Sequence, residues 1–143
     1  MNCPRCKATL TKEEVDNIQI DVCKKCNGMW VHKHQLNELL KESGGDVEEA
    51  SIDHNPDLGE KYKQAIVCRE CTDTNMTKIN FLEFSDIILD YCPSCGAFWL
   101  DKDELDNMHN YIKKVEEGSH EVKDHSAYNI LVRLSEIVLR IYH

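Results

Sequence analysis

Eight cysteines stand in four Cys-x-x-Cys pairs: Cys3/Cys6, Cys23/Cys26, Cys68/Cys71 and Cys92/Cys95. Two thiolates three positions apart can turn around one metal ion in a tight knuckle. Sixteen residues separate the first two pairs and twenty the last two, the spacing of zinc sites with four cysteine ligands. The second knuckle of each set arrives from the far end of a hairpin and completes the tetrahedron. The chain is therefore expected to hold two Zn2+ ions. One is assigned to Cys3, Cys6, Cys23 and Cys26, the other to Cys68, Cys71, Cys92 and Cys95. Iron is the main rival, because tetrahedral all-thiolate sites hold it too. A dithiol redox use would need one pair beside a βαβ pattern, and none is visible. With Met1 taken as the natural start, no signal peptide is expected ahead of Cys3. A reduced, cytoplasmic location is expected, in which these cysteines bind metal rather than form disulfides.

The elements that must position these knuckles are legible nearby. Ile18, Ile20 and Val22 alternate with Gln19 and Asp21, a half-buried strand running into Cys23. Residues 76–84 and Ile87–Tyr91 read as two strands joined at Ser85-Asp86. Asn27 and Gly96 follow their knuckles, where a positive φ is expected. Asp101 reads as a helix N-cap with Glu104 three residues on, followed by Leu105, Met108 and Ile112 at helical spacing. Leu36, Leu39 and Leu40 do the same more briefly.

The chain also repeats. From Cys26 it reads Cys-Asn-Gly-Met-Trp-Val-His-Lys-His-Gln-Leu, and from Cys95 Cys-Gly-Ala-Phe-Trp-Leu-Asp-Lys-Asp-Glu-Leu. Trp30 matches Trp99, Lys33 matches Lys102 and Leu36 matches Leu105. Both copies resemble the transcription factor IIB-type zinc ribbon. That family reads Cys-Pro-x-Cys-Gly, a hairpin, Cys-x-x-Cys-Gly-Gly-x-Trp-x-Asp, then a short helix near Glu-Leu. Cys3-Pro4-Arg5-Cys6 fits the opening knuckle, with Lys7 in place of Gly. Cys68-Arg69-Glu70-Cys71 lacks both Pro and Gly. Asp101, Glu104 and Leu105 match, whereas His32 and Gln35 stand at the Asp and Glu positions of the first copy. The resemblance covers about residues 3–40 and 68–112. It implies a transcription-associated role that contacts nucleic acid or RNA polymerase.

The expected fold is a small metal-stabilised α+β chain: two zinc ribbons, each a β-hairpin with knuckles plus a short helix, and a C-terminal helix. The expected organisation is a first ribbon at 1–41, an acidic linker at 42–63, a second ribbon with helix at 64–116, a short linker at 117–125 and an apolar helix at 126–143. Ribbons this small cannot fold on apolar burial alone, so metal must supply the difference. The terminal segment has no Gly or Pro, and its apolar residues span an arc of roughly 220° on an ideal helix. Such an arc asks for cover on two sides. A homo-oligomer or a protein partner gripping residues 126–143 is expected to supply it.

Charge and chemistry narrow the function. The formal charge is −9, and two four-thiolate zinc sites take it to about −13. With no basic stripe, autonomous nucleic-acid binding is poorly supported. A catalytic zinc keeps an open position, whereas four thiolates close these sites. His32 and His34 are left outside the ligand sets for the same reason. Trp30 and Trp99 are expected to pack on the hairpins and shield the metal. No run reaches the ~18 apolar residues of a membrane span. A non-enzymatic protein-interaction or assembly module is the leading reading; the transcription-associated ribbon is the alternative.

Overall fold

The structure, a computed structural model, describes residues 2–40, 66–80, 87–118 and 125–142. The linker expected at 42–63 and the turn expected at Ser85-Asp86 lie outside these residues. Strands β1 (Thr11–Val15), β2 (Ile18–Val22) and β3 (Met29–His32) precede helix α1 (Lys33–Leu40). Strands β4 (Thr77–Asn80), β5 (Ile88–Tyr91) and β6 (Ala97–Leu100) precede helix α2 (Lys102–Glu116). Helix α3 (His125–Tyr142) closes the chain. The chain is a small α+β protein with antiparallel strands, as expected.

The six strands form one sheet in the order β1-β2-β3-β6-β5-β4. Each ribbon is thus half of a shared sheet, joined through an antiparallel β3–β6 seam. The register places Trp30 directly opposite Trp99, Met29 opposite Leu100 and Val31 opposite Phe98. Each Trp therefore faces its own repeat counterpart, and an internal two-fold axis passes between them. The outer pairings obey the same axis. Asp21 lies opposite Trp30 and Lys12, as Asp90 lies opposite Trp99 and Lys78.

The sheet turns on local chemistry. Asp16 and Asn17 join β1 to β2 with φ of 51° and 68°, the two left-handed residues of a tight type I′ hairpin. In β2, Ile20 and Val22 are buried while Gln19 is exposed, so alternation sets the face. The central strands do not alternate: Ala97, Phe98, Trp99 and Leu100 are all buried. They are covered on both sides. Val31, Phe98, Leu100, Leu36, Leu105 and the α3 residues form one core beneath the helices. Trp30, Trp99 and Ala97 form another with the metal-knuckle cysteines.

Helix α3 folds back onto this first core. Ile130, Leu131, Leu134, Ile137 and Val138 are buried there. Its side chains are also tied by polar contacts at three places. Arg133 and Arg140 both grip Asp16 at the β1–β2 turn. Ser135 Oγ lies 2.5 Å from His109 Nδ1 on α2. The Tyr142 hydroxyl donates to the Gly28 carbonyl at 2.8 Å. Much of the wide apolar arc is therefore covered from within the chain. The cover sought from a second molecule concerns what remains, chiefly Leu139 at 46% exposure and half-buried Val132.

Helix α2 begins differently from the capping box expected for it. Asp101 is the N-cap by its backbone (φ −71°, ψ 159°), but its side chain makes no capping bond. Its Oδ1 accepts the Trp99 indole N–H at 2.8 Å, and its Oδ2 lies 3.2 Å from Arg5. An ion pair plus an indole donor outbid a single backbone amide for the same carboxylate. In the first ribbon half of the box survives: the His32 N–H donates to Gln35 Oε1 at 3.0 Å.

Glu104, in the first turn of α2, is buried. Burial, then the charges of Asp101, Asp103 and Asp90, push its carboxyl up to about 7. Between its ordinary value and about 7 the folded chain holds a proton that the unfolded chain releases, so stability falls as pH rises through that window. Glu104→Gln is expected to raise the thermal midpoint at about pH 8 by roughly 3 °C or more, with a clearly smaller gain near pH 5.5, on the way to closing at the ordinary carboxyl value of 4.5. Melting curves at both pH values check this; an equal gain at both would refute the titration.

Candidate metal centre

Three of the four knuckles share one local design. Cys3, Cys23 and Cys92 donate their backbone N–H to the carbonyls of Ala8, Gly28 and Ala97, at 2.7, 3.0 and 2.8 Å. Their own carbonyls accept from Lys7, Asn27 and Gly96. Those three acceptor turns need a left-handed residue, and φ is 67°, 63° and 78° there. Asn27 and Gly96 meet the expectation. Lys7, at the glycine position of the ribbon pattern, adopts the conformation at the steric cost a side chain carries there. The Cys68 knuckle, without Pro or Gly, instead closes one residue later, on Thr74 O at 2.9 Å.

These turns aim backbone amides at sulfur. Arg5 N and Cys6 N lie 3.4 Å from Cys3 Sγ, Cys26 N lies 3.4 Å from Cys23 Sγ, and Cys71 N lies 3.3 Å from Cys68 Sγ. Such donors favour the thiolate, the form that binds metal. At Cys23 burial raises the thiol, but the amides of Cys26 and Lys25 and the neighbouring thiols outweigh it and bring it down to about 7. Burial keeps its partner Cys26 well above the ordinary thiol range.

The sulfurs converge in two sets: Cys3, Cys6, Cys23 and Cys26, and Cys68, Cys71, Cys92 and Cys95, each set within 4.8 Å. Cys3 Sγ lies 3.7 Å from Cys26 Sγ, Cys6 Sγ 3.4 Å from Cys23 Sγ, and Cys68 Sγ 3.6 Å from Cys95 Sγ. A disulfide needs about 2.05 Å. A tetrahedron with zinc–sulfur bonds of about 2.3 Å has edges of about 3.8 Å. The donor sets therefore fit two Zn2+ ions, grouped within each repeat as the spacing implied.

A family model described as transcription factor zinc-finger matches residues 2–42 and 67–110. The chain belongs to the transcription factor zinc-finger family. The two matched segments are the two ribbons, so this member carries the zinc ribbon in tandem. No curated protein and no solved structure matches the chain. In this zinc-ribbon chain the family's Trp is a structural residue twice over: Trp30 and Trp99 are 1% and 0% exposed and pack beside the cysteines.

Where the first copy departs from the family pattern, the cross-ribbon chemistry departs too. Arg5, between the ligands of the first knuckle, pairs with Asp90 Oδ2 at 2.9 Å and Asp101 Oδ2 at 3.2 Å in the second ribbon. Its repeat counterpart is Glu70, which pairs with His32 Nε2 at 2.7 Å in the first ribbon. His32 is in turn the counterpart of Asp101. The internal two-fold thus relates two cross-ribbon contacts in which the carboxylate stands on opposite sides, Asp101 in one and Glu70 in the other. Asp90 is 2% exposed; burial pushes its carboxyl up, and Lys78 at 2.6 Å and Arg5 pull it back. The Trp99 indole has Asp101 as acceptor, while Trp30 Nε1, beside His32, has no hydrogen-bond partner among the described residues.

Sequence reasoning did not find β1, the seam or the bridges. The Asp16-Asn17 turn was a usable signal for β1. The bridges had none, since they follow from the seam. His109 meets Ser135 only through the packing of α2 on α3.

Proposed function

We propose that this zinc-ribbon protein is a non-enzymatic interaction or assembly module of the cytoplasm. The supporting observation is the single sheet that fuses the two ribbons, with a closed four-thiolate donor set on each. Structural zinc stabilises such a platform, and four thiolates leave no position for a substrate. A protein partner or a second copy meets residues 126–143 through exposed Leu139 and half-buried Val132. They lie seven positions apart on α3, so they share one stripe. No helix among the described residues is long and apolar enough to cross a membrane.

The second reading, contact with nucleic acid or polymerase, draws on the family's description as a transcription factor zinc-finger. One titration separates the two. With two zinc ions bound, fluorescence anisotropy against duplex DNA and hairpin RNA is expected to show no binding below about 10 μM at roughly 150 mM salt. Sub-micromolar affinity with a steep salt slope would overturn the interaction-module reading in favour of the second.

A further inference from the structure

The His32–Glu70 bridge lies against the second metal centre. His32 ends β3, Glu70 sits between Cys68 and Cys71, and Cys95 belongs to the closing knuckle of the second ribbon. The β3–β6 seam brings these three chain segments together. His32 Nε2 is 2.7 Å from Glu70 Oε1. These two atoms and Cys95 Sγ all lie within 4.8 Å of one another. The two side chains are 16% and 41% exposed, so an ion can reach them from solvent. The His34 ring stands 5.4 Å from the His32 ring.

The internal two-fold shows what belongs in this place. It relates Cys95 to Cys26, Glu70 to Arg5 and His32 to Asp101. A four-thiolate zinc centre carries a net charge of about −2. In the first ribbon Arg5 brings a permanent cation to that place, paired with Asp101. In the second ribbon the same place holds a carboxylate and an imidazole. The negative charge there is increased rather than offset, and the groups that increase it are metal ligands. Imidazole nitrogen, carboxylate oxygen and thiolate sulfur together suit zinc, a borderline-soft ion. A thiolate already bound to one zinc keeps a lone pair and can bridge to a second.

We infer that His32, Glu70 and Cys95 form a third, exchangeable divalent-metal site, filled by zinc and bridged to the second centre through Cys95 Sγ. Three protein ligands leave its fourth position to water. The site rests on zinc in the second four-cysteine set. It is weaker than the two closed sites because it has fewer protein ligands and more exposure.

The test uses the full chain, loaded with zinc and then titrated with further zinc against a competing chromophoric chelator. The expected result is two tight equivalents and a third weaker one. His32→Ala and Glu70→Gln are each expected to lose the third equivalent and keep the first two. Cadmium-113 spectra give an independent readout. With two equivalents bound, a third is expected to shift the resonance of the second centre, through the shared sulfur, and leave the first unmoved. Two tight ions with no third would overturn the third site alone. So would a third equivalent that persists in both variants, or one that leaves the second resonance in place. Fewer than two tight ions would overturn the underlying zinc reading, and the third site with it.

Discussion

Removing zinc with a strong chelator is expected to unfold both ribbons in a single step. Each hairpin contributes strands of four or five residues, too short and too few to stand alone in water. Structural zinc in such modules contributes on the order of 10–16 kcal/mol apparent at neutral pH. In this chain the contribution is shared. The carbonyl of Gly28, just before β3, accepts from Cys23 N, so the first metal knuckle sets the start of a seam strand. The carbonyl of Ala97, in β6, accepts from Cys92 N in the same way. Loss of either ion loosens one side of the seam, and both tryptophans lie on it. Tryptophan fluorescence and far-ultraviolet circular dichroism, followed during chelation, should therefore change together. Replacing one ligand, as in Cys92→Ser, is expected to weaken zinc at the first set by tenfold or more, on the order of 1.4 kcal/mol. Two separate transitions, or an unchanged first site, would show that the ribbons fold independently.

Gly28→Ala is expected to be the most damaging single methyl that can be added. A Cβ at Gly28 would meet Trp99 Cζ2 at 2.3 Å and Cη2 at 2.6 Å. Neither ring nor backbone can give way easily. Trp99 is fully buried, its indole is anchored to Asp101, and the Gly28 carbonyl accepts from both Cys23 N and the Tyr142 hydroxyl. Overpacking in a core costs typically 1–3 kcal/mol, and more where the neighbours are pinned. The expected loss is about 3 kcal/mol or more, with a lower zinc affinity at Cys23. The counterpart position already carries a methyl: Ala97 is buried in the same cluster. Ala97→Gly is therefore expected to cost only about 1 kcal/mol, from lost packing and added chain entropy. Denaturant titrations of both variants check the asymmetry; equal losses would mean the two sides of the seam are packed alike.

That asymmetry illustrates what could be read from residues in order. The repeat predicts that Gly28 and Ala97 are equivalent, and it is right about the backbone. It cannot say that only one of them lies under a pinned indole. The same holds for Asp101. Its spacing to Glu104 reads as a capping box, and the helix does start there, but the side chain is claimed by Arg5 and Trp99. Local patterns report local preferences, and a longer-range ion pair can override them. Helix α3 was legible in extent and in the width of its apolar face. Which surfaces cover that face was not, because burial by one's own chain and burial by another leave the same composition.

The sequence by itself determined the two donor sets, their grouping within repeats, the ribbon family and the helices, because knuckle spacing and periodicity are encoded over a few residues. The tertiary structure decided everything that depends on how the copies meet. The β3–β6 register puts Trp30 against Trp99 and makes one sheet of two ribbons. It brings Arg5 to Asp90 across 85 residues, Arg5 also to Asp101, and Glu70 to His32 across 38. The physical reason is that hydrogen-bonding edges of a strand accept any strand of suitable register. Each ribbon alone leaves the free edge of β3 or β6 unpaired, and only the folded chain shows that each edge satisfies the other.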